Sequence, residues 1–190
     1  YSQLPEGTVV SFSGESKRYV EESGYVYLIF AMAIVFIFLV LAAQYESWRD
    51  PWIILMSVPV ALAGAILSMK IFGFSMNLYS KIGLLTLIGL ISKHGILIVD
   101  FANKLKTDGK NRLEAVVEAS TLRLRPILMT TFAMVLGAVP LVLDTGPGME
   151  ARQPIGMVIV SGMILGTLLT LFVVPMVYTF ISRKEGLVLA

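Results

Sequence analysis

Five long apolar runs separated by short polar stretches organise the chain. They cover residues 25–45, 53–69 (running on to about residue 72), 82–103, 126–143 and 155–181. Each approaches the roughly 20 residues an α-helix needs to cross about 30 Å of hydrocarbon. The pattern therefore predicts an all-α membrane protein with five transmembrane helices. Ahead of the first run, "TVVSFSG" at 8–14 alternates weakly and reads as a short strand, and the polar stretch 15–23 reads as a helix leading into the first span. Between the third and fourth runs, Leu113, Val116, Val117, Ser120 and Leu124 recur at helical spacing. An amphipathic helix over 111–124 is expected to lead into the fourth span.

Small residues recur where helices would have to approach. Gly162 and Gly166 form a GxxxG in "SGMILG", and Gly64 with Ser68, and Gly83 with Gly89, are looser versions. Such spacing predicts close helix packing and carries no transport role by itself. Pro59, Pro140 and Pro175 fall inside runs, where each removes a backbone donor and frees a carbonyl.

Composition agrees with a membrane protein. Of 190 residues 56% are hydrophobic and 15% charged, against about a quarter charged in soluble domains. Mean hydropathy is +0.81. There is no cysteine, so no disulfide or thiolate metal site forms within this chain, and the ten methionines read as packing rather than as a metal path. A net charge of +2 gives no support to a nucleic-acid partner. The first run follows some two dozen mostly polar residues and is not a signal peptide. A start at Tyr1 with an odd number of spans leads us to expect the C-terminal piece of a longer protein.

Loop charges predict orientation. Lys104, Lys106, Lys110, Arg112, Arg123 and Arg125 cluster between the third and fourth runs, which places that segment in the cytoplasm. By alternation residues 1–24 face the periplasm and the tail 183–190 the cytoplasm. Tyr45, Trp48 and Trp52 at one boundary and Tyr25, Tyr27 and Tyr79 at the other fit interfacial belts.

The chemistry concentrates in the third run. Lys93 lies 11 residues after Ile82 and 10 before Asn103, close to the mid-plane and too deep to snorkel easily. A lysine there costs about 2.5–3.5 kcal/mol on insertion scales, so it is a functional candidate with a partner to be found. No other run holds a carboxylate at mid-depth. The alternative is a cation bound to backbone carbonyls within the bundle. His94 points about 100° from Lys93 and reads as a hydrogen-bonded bundle residue. Asp100, about 10 Å further along the helix axis and near the inner boundary, is open to a solvated, capping or relay role. Arg123 and Thr130 share a face across the start of the fourth span; an arginine there also follows from positive-inside bias alone.

"LAAQYESWRDP" at 41–51, "IGLLTLIGLISKHGILIVDFA" at 82–102 and "RLRPILMTTFAMVLGAVPLVL" at 123–143, followed by "TGPG", resemble the last membrane helices of resistance-nodulation-division (RND) efflux pumps of the hydrophobe and amphiphile branch. The similarity covers about residues 25–183. It implies transmembrane helices eight to twelve of a homotrimeric proton antiporter in the bacterial inner membrane, with residues 1–24 ending a periplasmic porter subdomain. It further implies a missing N-terminal half with paired aspartates, a periplasmic adaptor, an outer-membrane channel, surrounding lipids, and drug-like amphiphilic cargo. Protons are the coupling ion and no other cofactor is implied.

By the same resemblance Lys93, Arg123 and Thr130 match the proton-relay lysine, arginine and threonine. The position after the lysine is commonly asparagine in the family and is His94 here, which leaves its part in the relay open. Asp100 matches an acidic position with no relay role. The rival transport reading is an RND-related protein-translocation or lipid transporter on the same membrane fold; a non-transporting scaffold is the other. An intramembrane protease is disfavoured, because Ser92 and Lys93 are sequence neighbours and cannot face each other on a helix, and neither HExxH nor GxGD occurs.

Overall fold

The computed structural model describes residues 15–181, with side chains from Tyr25 onward. The expected strand at 8–14 and the tail 183–190 lie outside the described residues. Six helices follow in order: α1 Glu15–Tyr45, α2 Asp50–Leu55, α3 Ser57–Ile71, α4 Leu78–Thr107, α5 Arg112–Val142 and α6 Met149–Ile181. No strand occurs among the described residues. Five segments are long and apolar enough to cross a membrane, with α2 and α3 together making the second. This is an all-α, multi-pass membrane protein.

The second apolar run divides at Met56, and Pro59 explains where. Its ring has no N–H and crowds the carbonyl four residues back, that of Leu55, where α2 ends. The Ser57 hydroxyl donates to Ile54 O at 2.7 Å and so occupies a carbonyl beside the break. Pro51 near the start of α2 sits where a missing donor costs little.

α4 begins with a reciprocal cap: Ser80 N donates to Asn77 Oδ1 at 2.8 Å and Asn77 N to Ser80 Oγ at 3.3 Å. Lys104 and Lys106 stand in its last turn, the favourable end of the helix dipole for a cation. The chain turns at Gly109, whose φ of 90° favours glycine, and Lys110 N closes the turn on Leu105 O at 3.2 Å.

α5 runs unbroken through Pro126, so residues 112–124 and the fourth span form one helix. Its first turns bury Ala115, Val116 and Ala119 and leave Leu113, Val117 and Leu124 exposed, a stripe offset from the one the large apolar residues mark. The loop to α6 is held by Asp144, which accepts Gly146 N at 2.9 Å and pairs with Arg152 at 2.7 Å.

α6 is the hub, packed against α3, α4 and α5, whereas among the described residues α1 packs mainly on α2 and α4. Close approach comes from glycine: a Cβ added at Gly162 would fall 2.3 Å from Leu87 Cδ2 and 3.2 Å from Ala65 Cβ, and one at Gly166 2.8 Å from Ala61 Cβ. The GxxxG face therefore seats α6 on α3 and α4. One buried cluster gathers Leu84, Leu87, Ile91, Val158 and Met163; another gathers Ile98, Ala102, Val116, Ile127 and Val174.

Candidate functional site

Lys93 is fixed by the rotation of α4. Leu84, Leu87, Ile88, Ile91 and Ile98 are buried on one side, so Ile82, Thr86, Gly89 and Lys93 form the opposite, exposed stripe. Among the described residues no hydrogen bond or ion pair reaches the Lys93 ammonium. A mid-span cation thus faces away from the helices of its own chain.

The other sequence candidates are placed separately. Thr130 is half-buried and its hydroxyl donates to Ile127 O at 3.0 Å; Thr86 does the same to Ile82 O at 3.0 Å. Each oxygen keeps lone pairs to accept with. The Arg123 guanidinium carbon lies 4.4 Å from the centre of the Phe101 ring, and its Nε is buried without a hydrogen-bond partner among the described residues. Phe101 is eight residues beyond Lys93, about 12 Å along the helix, so Arg123 sits at a different depth from the lysine. Asp100 pairs with Lys104 at 2.8 Å across one exposed helix turn, the kind of pair worth at most about 0.5 kcal/mol.

His94 makes the one polar cluster that joins three helices at mid-span among the described residues. It is fully buried, with Nδ1 3.3 Å from Thr167 Oγ1 of α6 and Nε2 3.5 Å from Thr131 Oγ1 of α5. The two hydroxyl oxygens are 3.2 Å apart, and Thr131 donates to Ile127 O at 2.9 Å. The four contacts share three protons: a neutral ring protonated at Nδ1 donates to Thr167, Thr167 donates to Thr131 and Thr131 to Ile127 O, which leaves the 3.5 Å approach of Nε2 as the contact without a proton. Thr170, one turn along α6, has a buried hydroxyl with no partner among the described residues.

Sequence reasoning missed Thr131, Thr167, Phe101 and a second polar chain nearer the C-terminal ends of α4 and α6. There the Tyr178 hydroxyl donates to Asn103 Oδ1 at 2.7 Å and Asn103 Nδ2 donates to Asp50 Oδ2 at 3.0 Å, tying α6, α4 and α2. The adjacency of Thr130 and Thr131, and of Lys93 and His94, is the one signal that pointed toward the cluster. No group of three or more His, Cys, Asp or Glu able to hold a metal ion occurs among the described residues.

The profile of the AcrB/AcrD/AcrF family matches residues 1–182. The chain belongs to that family. Members similar to it include an uncharacterised transporter of Haemophilus influenzae, 47% identical over 189 residues. The toluene efflux pump membrane transporter TtgB of Pseudomonas putida is 39% identical over 184 residues, and the multidrug resistance protein MdtF of Escherichia coli is 39% identical over 183. These alignments cover 96–97% of the chain but 18% of each relative's length. As an AcrB/AcrD/AcrF-family chain it is an RND transporter segment, and the mid-span lysine lies within the matched residues.

Proposed function

We propose that this chain forms transmembrane helices eight to twelve of a proton-driven RND pump that exports drugs and amphiphiles across the bacterial inner membrane. Lys93 supplies the relay cation, with Arg123 and Thr130 as its basic and hydroxyl companions. The observation that carries the reading is Lys93 itself, exposed at mid-span with no partner among the described residues. A charge placed there at a cost of a few kcal/mol requires a counter-ion, and paired carboxylates on the N-terminal half of the same transporter provide one. The names of TtgB and MdtF describe efflux and drug resistance, which favours export over protein translocation or lipid handling.

The chemistry is a charge switch. While a facing carboxylate is ionised it holds the ammonium; once it takes a proton the attraction is gone and the ammonium turns to a neighbouring hydroxyl such as Thr130. Each proton crossing 100 mV supplies about 2.3 kcal/mol, equivalent to roughly a fiftyfold cargo gradient. In the working pump we place the N-terminus in the periplasm and the C-terminus in the cytoplasm, within a homotrimer that engages an adaptor and an outer-membrane channel. Lys93→Met in the complete transporter is expected to abolish proton-coupled dye export in proteoliposomes while insertion stays normal. Export at the parental rate would remove Lys93 from the mechanism.

A further inference from the structure

His94 and Thr131 are each the next residue after a proposed relay group, and that adjacency has a geometric consequence. Consecutive residues on a helix point about 100° apart, so burying one turns its neighbour out of the contact. The His94 ring is clasped at both nitrogens, 3.3 Å from Thr167 and 3.5 Å from Thr131, with the two hydroxyls 3.2 Å from each other. His94 is 0% exposed, Thr167 2% and Thr131 7%, while Lys93 is exposed and Thr130 half-buried.

We infer that the His94–Thr131–Thr167 cluster is a positioning device that sets the rotation of α4 against α5 and α6, so that Lys93 and Thr130 are presented to the same partner. This rests on the relay reading above. A polar set buried among apolar side chains is satisfied in one register only. Turning α4 by one residue would drive Lys93 into the apolar contact and leave the buried histidine without either hydroxyl, where no water replaces them, while Thr131 and Thr167 would keep only each other and Ile127 O. Apolar packing alone would discriminate less, because one aliphatic surface slides on another with little loss. A buried polar residue that specifies register is a known use of such groups in helix bundles. The cluster also lies one helical turn from each of two buried apolar groups, at Ile91 on one side and Ile98 on the other. It therefore pins the contact at mid-depth, at the level of Lys93.

The test uses the complete transporter in proteoliposomes, with a fluorescent amphiphilic dye and an imposed proton gradient. Rates are taken per folded protein, with melting temperature measured for every variant. His94→Leu and Thr167→Val are expected to lower the maximal rate about tenfold while the half-saturating dye concentration stays within about twofold. His94→Asn keeps a polar atom near the Nδ1 position, the one that faces Thr167, and is expected to recover most of the rate. If His94→Leu does not fold, the near-isosteric Thr167→Val decides by the same criterion. Parental rates in both apolar variants, or a fall reproduced in full by His94→Asn, would overturn the inference. Lys93→Met separates the two ideas. Surviving transport there removes the relay reading and this inference with it; loss there alongside parental His94→Leu and Thr167→Val removes the positioning role alone.

Discussion

The Arg123 guanidinium sits over the face of Phe101, its carbon 4.4 Å from the ring centre. The contact joins the N-terminal half of α5 to the C-terminal half of α4, where an arginine would otherwise be free to extend toward the nearer membrane surface. With Nε buried and unpartnered among the described residues, the ring is the partner the structure provides for the charge. A thermal double-mutant cycle on Phe101→Leu and Arg123→Gln should therefore show a coupling of about 1 kcal/mol. Strict additivity would mean that the ring does not hold the guanidinium.

Packing at Gly162 leads to a prediction of coupling with Leu87. The Cβ in Gly162→Ala would stand 2.3 and 2.9 Å from the two Leu87 Cδ atoms and 3.2 Å from Ala65 Cβ, and all three residues belong to the tight α6 contact. Overpacking of this kind costs about 1–3 kcal/mol. Melting in detergent should show that loss, and Leu87→Ala should cost less in the Gly162→Ala background than in the parent, because the added Cβ fills part of the space the leucine leaves. A single Gly162→Ala protein as stable as the parent would contradict the close approach.

The five spans and the depth of Lys93 were legible because hydrophobic length and one out-of-place charge are local signals. The buried stripe of α5 was not. Of the large apolar residues that mark the expected stripe, Leu113, Val117 and Leu124 are exposed and Val116 is buried, beside Ala115 and Ala119, whose small side chains let α5 approach its neighbour. The His94 cluster was illegible for another reason: its partners are 37 and 73 residues away in sequence, and nothing local marks two threonines among several as the ones that meet it. The break at Met56 was half legible, since Pro59 announced a kink but the residue at which the helix would part depended on Leu55.

Orientation is testable at the turns. Gly109 and Gly148 are the apparent choices for reporter cysteines, but both have positive φ, 90° and 87°, which a side chain tolerates poorly. Asp108 and Thr145 are exposed neighbours with ordinary backbone. Asp108→Cys should react with a membrane-impermeant thiol reagent only once the membrane is opened, and Thr145→Cys in intact spheroplasts. The opposite labelling would reverse the orientation deduced from the basic loop between α4 and α5.

The last prediction concerns pH. His94 adjoins Lys93 in sequence but is turned into the bundle, where hydroxyls and aliphatic side chains surround it, and no carboxylate contacts it among the described residues. A ring that only positions its neighbour has no proton to pass during the cycle. Replacing it by asparagine, which cannot titrate, should then leave the shape of the transport-versus-pH curve unchanged between about pH 5.5 and 8, the window in which an ordinary imidazole changes charge. Both proteins would be reconstituted at matched amount and orientation, and each curve scaled to its own maximum. Superposition is the expected outcome. A step missing from the His94→Asn curve near pH 6 to 7 would instead make His94 a proton-handling member of the site, because no other group is altered by the substitution.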